Sequence, residues 1–334
     1  MKIFVTGIGG FLGSHIAERM IQLGHEVVGN DTFIGGYSDN IPRGTSISYE
    51  IDCCDLDRMT QAMKRCDIVI HTAATAHEGL SVFSPSFITK NIFEATVSTI
   101  SAAIQNNVKR FVHCTSMARY GNQQTPFTED MAPMPVDPYG IAKAASEQVL
   151  IALCDTHGMD WNIAVPHNIV GPRQKYDDPF RNVMSIMINR NLRGLPAIIY
   201  GNGEQTRCFS YVDDCIDCLE KMALDSTISK QIINIGPDEG TITIKQLADM
   251  VALETGFAGE FIYMPDRPRE VKHAMCSSDK ARKLLAYETK TSIKEAIQKT
   301  VEYIKNKGPK AFEYDYPLEI INDKTPKTWK DRLI

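Results

Sequence analysis

Residues 2–13 have the sequence KIFVTGIGGFLG, and this segment decides the fold. Its first residues form an apolar run typical of a buried strand, and three glycines at three-residue intervals follow. Residues 14–23 then show the periodicity of an amphipathic helix, which Gly24 ends. Strand, glycine loop and helix together predict a dinucleotide-binding unit, because glycines let the backbone approach a pyrophosphate whose charge the helix N-terminus receives. The predicted cofactor contacts in this loop are Gly7, Gly10, Phe11, Leu12 and Gly13.

The second predicted strand, residues 26–30, ends directly before Asp31. A carboxylate at this position accepts hydrogen bonds from both ribose hydroxyls of a dinucleotide and repels a 2′-phosphate. The sequence therefore predicts NAD rather than NADP as the cofactor.

Tyr139 and Lys143 lie four residues apart in a segment with a helical pattern, so their side chains share one helix face. A phenol titrates near pH 10, and lowering its pKa to about 7 requires about 4 kcal/mol. The Lys143 ammonium and the positive charge of a nicotinamide ring together could supply it. A surface pair at this spacing is common, and it is the dinucleotide unit that favours a catalytic pair.

The rest of the first half alternates strands and helices, which predicts a parallel, doubly wound α/β sheet of the Rossmann type. The predicted strands are residues 47–51, 67–71, 110–114 and 161–165, and the predicted helices are residues 57–65, 86–107 and 139–157. Ligands of such sheets bind at the carboxyl ends of the strands, which places Thr72, Ser116 and Asn168 in one cleft.

Beyond residue 170 the pattern loosens into short segments separated by proline and glycine. We expect residues 1–170 to form the NAD-binding domain, to which segments near 207–236 also belong. Residues 171–307 are expected to form mainly a smaller substrate-binding lobe. Residues 308–334 form a tail without an assignable role, in which Trp329 is expected to be exposed.

Composition limits the possible functions. The chain has 334 residues, 43% of them apolar, and a net charge of -5, which argues against nucleic-acid binding. Neither a signal peptide nor an apolar run long enough to span a membrane is evident, and nine scattered cysteines are typical of a reducing compartment. We expect a cytoplasmic protein. Cys215 and Cys218 lack further ligands at metal-binding spacing, so we expect buried thiols and no metal.

Several separated motifs resemble the extended short-chain dehydrogenase/reductase family, and within it the sugar-nucleotide epimerases and dehydratases. The resemblance extends over residues 2–303. Its motifs are the glycine loop at 6–13, Asp52, HTAA at 71–74, Asn91, TSMARYG at 115–121, Tyr139 with Lys143, NIVGP at 168–172 and RCFSYVDD at 207–214.

The resemblance implies a role for each matching position. Tyr139 is the base for a sugar hydroxyl, Lys143 lowers its pKa and binds the nicotinamide ribose, and Ser116 binds the reacting hydroxyl. Asn168, Arg207 and Arg267 bind the substrate diphosphate, although Arg207 could instead pair with a surface acid. His77 and Glu78 either line the sugar pocket or form an exposed pair. The remaining cofactor contacts are Asp52, Cys53, Thr72, Ala73, Ala74 and Asn91.

The two residues after Ser116 bear on the reaction. Relatives that dehydrate the sugar carry an acidic pair there, and decarboxylating relatives carry a glutamate at the second position; this chain has Met117 and Ala118, which cannot transfer protons. The resemblance therefore implies a nucleotide-sugar 4-epimerase. A C4 dehydrogenase or reductase that exchanges hydride with a second substrate is the alternative, and an inactive NAD-binding scaffold a remote one. The carrier nucleotide is UDP or GDP.

The family commonly associates through two helices that correspond to residues 86–107 and 139–157, which predicts a homodimer. Ile88, Ile92, Ala95 and Thr99 form an apolar stripe on the first helix. This stripe must be buried, either in a partner interface or against the protein's own sheet.

Overall fold

A parallel seven-stranded sheet forms the centre of the protein, as a computed structural model of residues 1–334 shows. Its strand order is β11-β6-β5-β4-β1-β2-β3. The strands of the chain are β1 Lys2–Thr6, β2 Glu26–Asp31, β3 Ile47–Glu50, β4 Ile68–His71, β5 Arg110–Cys114, β6 Asp160–Pro166, β7 Ile169–Val170, β8 Ile198–Tyr200, β9 Thr206–Arg207, β10 Ser210–Tyr211, β11 Gln231–Ile235, β12 Ile242–Thr243, β13 Ile262–Met264 and β14 His273–Ala274.

Twelve α-helices surround this sheet and its smaller companions. They are α1 Phe11–Gln22, α2 Leu56–Ala62, α3 Glu78–Ser81, α4 Pro85–Thr89, α5 Ala95–Gln105, α6 Pro138–His157, α7 Val183–Leu192, α8 Val212–Leu224, α9 Ile244–Thr255, α10 Asp279–Leu285, α11 Ile293–Lys307 and α12 Lys327–Lys330. None of them is both long and apolar enough to cross a membrane.

The alternation of side chains along β1 explains why both faces of the sheet are covered. Ile3 and Val5 belong to an apolar core that includes α1 and α8, whereas Phe4 belongs to a second core with α2, α5 and α6. A strand buried on both faces needs an uninterrupted apolar run, and this is what the sequence of β1 provides.

The predicted Rossmann-type sheet is confirmed. Strand β5 has the predicted bounds, and β11 returns to the sheet beside β6 as expected. Residues 86–107, predicted as one helix, instead form α4, a π-helical segment Lys90–Glu94, and α5. One additional residue per turn in the π segment leaves no signal in the apolar periodicity, so the sequence could not reveal it.

The smaller lobe is built from short strand pairs and helices of the second half of the chain. Strand β8 pairs with β13, and β9 pairs with both β12 and β14. Helices α7, α9 and α11 pack against one another and continue the apolar core that covers one face of the main sheet. Residues of the lobe, among them Tyr200 and Arg267, line one cavity together with Thr72 and Ser116 from the carboxyl ends of the sheet strands.

The tail wraps the protein's own body. The backbone N–H groups of Glu319 and Ile320 both donate to the Phe83 carbonyl oxygen at 2.9 Å. The Tyr316 hydroxyl lies 2.7 Å from the Ile34 carbonyl oxygen. Trp329, expected to be exposed, is only 3% exposed, because its ring packs on Phe83 and on Phe180. A lone tryptophan among polar residues gave no indication of this contact.

Replacing Trp329 by alanine should destabilise the protein by about 3–5 kcal/mol, since a buried indole is lost and a cavity remains. The midpoint of urea unfolding measures the change. The matched control is Ile321→Ala, which removes a tail side chain that is 58% exposed and should change stability by less than about 0.5 kcal/mol. Equal midpoints for Trp329→Ala and the wild type would show that the tail does not pack as described.

Candidate active site

The glycine loop after β1 forms a tight backbone cradle at the start of α1. A Cβ atom on Gly13 would lie 2.1 Å from the Gly7 carbonyl oxygen, and Gly7 itself has a φ of +67°. Residue Gly10 precedes α1 and offers no side-chain cap to the N–H groups of the first turn. These N–H groups lack partners within the helix, so the cradle fits a dinucleotide pyrophosphate. Phe11 and Leu12 line the same cavity.

Asp31, at the end of β2, lies beside this cradle. Its carboxylate accepts hydrogen bonds from the backbone N–H groups of Gly9 at 2.8 Å and Phe33 at 2.7 Å. Burial raises the pKa of Asp31, and these two hydrogen bonds oppose the rise. Each oxygen keeps a lone pair that can accept a ribose hydroxyl. Asp52 and Cys53 line the cavity next to it.

The end of β4 supplies the next wall of the cavity. The Thr72 hydroxyl donates to the Thr6 carbonyl oxygen at 2.6 Å, which joins the ends of β1 and β4. Ala73, Ala74 and Asn91 line the cavity beyond it. Asn91 lies in the π-helical segment and donates to the Phe87 carbonyl oxygen at 2.8 Å. Helical segments of this kind often occur at functional sites, because they re-aim single side chains.

Ser116, Tyr139 and Lys143 converge where β5 meets α6. The Lys143 ammonium donates to the carbonyl oxygen of Cys114, the last residue of β5, at 2.9 Å. The side chain of Asp137 caps α6 by accepting the Gly140 N–H at 2.9 Å. All three predicted catalytic residues line the cavity, together with Thr72 and Asn168 from the other strand ends, as expected from the topology.

The protein alone disfavours charge on either member of the Tyr139 and Lys143 pair. Burial raises the pKa of Tyr139, and the Ser116 hydroxyl opposes this as a hydrogen-bond partner. Burial also lowers the pKa of Lys143 to about 8. A phenolate at neutral pH therefore needs a further positive charge in the cavity. A bound nicotinamide ring would supply that charge, as the sequence predicts.

Residues predicted to hold a diphosphate line the same cavity. The Asn168 amide donates to the Cys208 carbonyl oxygen at 2.9 Å, with its own backbone at a φ of 44°. Arg207 donates to the carbonyl oxygens of Thr206 and Val271, each at 2.8 Å, and makes no ion pair with a surface acid. The backbone oxygens therefore hold the guanidinium in position, and the carboxylates of Glu78 and Glu270 lie within electrostatic reach of it.

Arg267 also lines the cavity, and Glu270 holds it by two hydrogen bonds, of 2.9 and 3.4 Å. Its guanidinium lies 4.6 Å from the centre of the Tyr200 ring. This stacking fixes the plane of the guanidinium, so Arg267 can present its remaining N–H groups to a bound anion.

The side chains of the adjacent residues His77 and Glu78 point to different environments. Glu78 faces the cavity, whereas His77 is fully buried behind the wall, where its Nε2 lies 2.8 Å from Asp178. The structure thus supports neither a sugar contact by His77 nor an exposed His-Glu pair. His77 is the N-cap residue of α3 and Glu78 its first helical residue, and a sequence pattern cannot say which of two neighbours at a helix start faces the cavity.

Sequence analysis missed four charged residues that line the cavity: Asp137, Arg181, Arg269 and Glu270. Arg181 lines the cavity, and its Nε donates to Asp178 at 3.2 Å. Burial raises the pKa of Asp178, but His77 and Arg181 together bring it below its ordinary value. The signal was absent because Arg181 belongs to a loop without a recognisable motif.

Comparison with known proteins agrees with this geometry. The NAD dependent epimerase/dehydratase family matches residues 3–236. The chain belongs to this family. It is 30% identical over 318 residues to a UDP-glucose 4-epimerase of Mycolicibacterium smegmatis, covering 92% of this chain and all of the relative.

Two solved structures show the same architecture over most of the chain. A UDP-glucose 4-epimerase of Thermotoga maritima with UDP-glucose superposes with a TM-score of 0.86 at 30% identity, covering 92% of this chain and 99% of that one. A UDP-glucose 4-epimerase of Thermus thermophilus in complex with NAD gives a TM-score of 0.84 at 28% identity, covering 91% and 99%. Family membership makes the protein an NAD-dependent enzyme, in agreement with the glycine cradle and with Asp31.

We predict that NAD binds and that NADP does not, because the Asp31 carboxylate repels a 2′-phosphate. Asp31→Ala should weaken NAD binding about 10-fold or more and should bring the two affinities together, since two loop contacts and the repulsion are lost together. Calorimetric titration of the protein freed of nucleotide measures both. The matched control is Asp39→Ala, at an exposed position. Comparable affinities of the wild type for NAD and NADP would refute the assignment.

Proposed function

We propose that this protein is a nucleotide-sugar 4-epimerase that acts through a transient 4-keto sugar. One observation carries the proposal: a single cavity holds Ser116, Tyr139 and Lys143 between the glycine cradle and the two arginines Arg207 and Arg267. A sugar joined to a diphosphate at C1 would present its C4 hydroxyl to Tyr139 when Arg207 and Arg267 hold the diphosphate.

In the proposed reaction Tyr139 removes the proton of the C4 hydroxyl, and Ser116 holds that hydroxyl by a hydrogen bond. Lys143, anchored on the Cys114 carbonyl, keeps a positive charge close to the phenolate. When bound, NAD supplies the acceptor for the hydride from C4 and the donor for its return. Tyr139 then returns the proton to the oxygen on the inverted carbon.

The absence of an acid after Ser116 separates this reaction from those of relatives that eliminate water or carbon dioxide. Met117 and Ala118 both line the cavity, and neither can exchange a proton. A 4-keto sugar formed here has no route to dehydration through these positions, so returning the hydride to C4 is the available outcome. UDP is the proposed carrier nucleotide, since the Mycolicibacterium relative is a UDP-glucose 4-epimerase and the Thermotoga structure contains UDP-glucose. GDP is the alternative carrier.

We propose that the enzyme is a cytoplasmic homodimer. The apolar stripe of Ile88, Ile92, Ala95 and Thr99 is buried within the protein itself, so it is not what a partner would cover. The outer faces of the same two helical stretches carry another apolar set. Phe93 is 37% and Ile141 54% exposed, and Val97, Ala145 and Val149 are half-buried beside them. A second copy packed on this face would bury these side chains in a four-helix arrangement.

Replacing Tyr139 by phenylalanine should reduce turnover about 100-fold or more while leaving NAD binding and stability unchanged, because only the acid-base hydroxyl is lost. NMR of the reaction mixture measures the interconversion of UDP-glucose and its C4 epimer without added cofactor. The matched control is Tyr263→Phe, at an exposed position on β13. Undiminished activity of Tyr139→Phe would overturn the catalytic assignment. Reduced nicotinamide that accumulates in the wild type would favour a dehydrogenase.

Replacing both Phe93 and Ile141 by glutamate should convert the dimer to a monomer, because two charges would be placed in an apolar interface. Light scattering at micromolar concentration measures the mass. The matched control is Leu253→Glu, which places the same charge at an apolar side chain of α9 that is 84% exposed. A wild-type protein that is monomeric under these conditions would contradict the dimer.

A further inference from the structure

Glu78 is a cavity-lining acid near Tyr139 whose carboxylate has no partner at either oxygen. Of the neighbouring acids, Asp137 caps α6 through Oδ1, although its Oδ2 has no partner, and Glu270 is held by Arg267. Glu78 makes neither a side-chain hydrogen bond nor an ion pair, and it is exposed to the cavity that it lines. Its carboxylate oxygens are therefore free to accept hydrogen bonds from a ligand.

The position of Glu78 is fixed by its neighbours on both sides. His77 is anchored on Asp178 at 2.8 Å, and Leu80 is fully buried. Behind Gly79 lies the tail: a Cβ atom on Gly79 would meet the Trp329 ring at 3.2 Å. These contacts hold the backbone on both sides of Glu78 in place at the cavity wall.

Glu78 lies within electrostatic reach of both functional ends of the cavity. Burial raises its pKa to about 7, Asp137 adds to the rise, and Arg207 and Arg267 oppose it. The same carboxylate contributes to the raised pKa of Tyr139. In a nucleotide sugar the hexose ring lies between the reacting C4 and the diphosphate, so a group near both Tyr139 and the arginines faces that ring.

We propose that Glu78 determines which class of sugar the enzyme accepts: it binds hydroxyl or ammonium groups of the hexose and excludes sugars that carry a carboxylate at C6. The inference rests on the proposed function, since it assumes that the cavity binds a nucleotide sugar. A hydroxyl or an ammonium group donates to the unpartnered carboxylate. A second carboxylate offers no donor and places a like charge beside that of Glu78.

The test compares UDP-glucose with UDP-glucuronic acid, which differ only at C6, so that the contribution of the diphosphate cancels. Assays at about pH 8 keep most of Glu78 ionised. For the wild type we expect kcat/KM and affinity for UDP-glucose to exceed those for UDP-glucuronic acid about 100-fold or more. In Glu78→Gln, which keeps the shape and removes the charge, this ratio should fall about 10-fold or more.

Glu270→Gln is the matched control, since it also removes a cavity carboxylate, but one that holds Arg267 and through it the diphosphate. It should weaken both sugars alike and leave their ratio within about 3-fold of the wild-type value. An unchanged ratio in Glu78→Gln, or a wild type that prefers UDP-glucuronic acid, overturns the inference.

The measurements distinguish a failure of the proposed function from a failure of the role proposed for Glu78. If neither sugar is converted, the proposed function fails, while the ratio of their dissociation constants, measured by calorimetry, still decides the role of Glu78. If the UDP sugars do not bind, GDP-mannose and GDP-mannuronic acid form the equivalent pair. NAD titration of each variant shows that the fold is retained.

Discussion

The close approach of the Gly13 backbone to the Gly7 carbonyl oxygen is the constraint on which the rest of the site depends. Only a residue without a Cβ fits there, since that atom would lie 2.1 Å from the oxygen. The contact starts α1 directly above the end of β1 and aims its first N–H groups into the cleft. Because β2 and β4 flank β1 in the parallel sheet, they bring Asp31 and Thr72 to the same edge.

Burial shapes the chemistry of this edge. Tyr139 and Lys143 lie in a site that penalises charge on either, which raises the pKa of the phenol and lowers that of the ammonium to about 8. Without a further positive charge the Tyr139 phenol therefore stays protonated. Binding of a positively charged ring favours the phenolate, and the low dielectric makes that interaction stronger than it would be in water.

Sequence patterns predicted the elements that have a regular apolar periodicity or a glycine motif. They missed the features that depend on single contacts. The strands, the glycine loop and the placement of Thr72, Ser116 and Asn168 in one cleft followed from apolar periodicity and from the topology of parallel sheets. The pairing of Ser116 with Tyr139 followed from the family resemblance. The sequence did not predict three features: the π-helical segment at Asn91, the orientation of Glu78 toward the cavity with His77 buried behind it, and the burial of Trp329. Each of these arises from one local backbone change or from a contact between residues far apart in the chain, for which a periodic pattern carries no information.

The most direct measurement of the central claim is the fate of the hydrogen on C4 of the sugar. UDP-glucose labelled with deuterium at C4 is incubated with the enzyme without added cofactor, and NMR and mass spectrometry locate the label in the product. An epimerase returns the same hydride to C4, so the account predicts that the C4 epimer retains the deuterium there. A product that has lost the deuterium, or a label that passes to a second molecule, would contradict it.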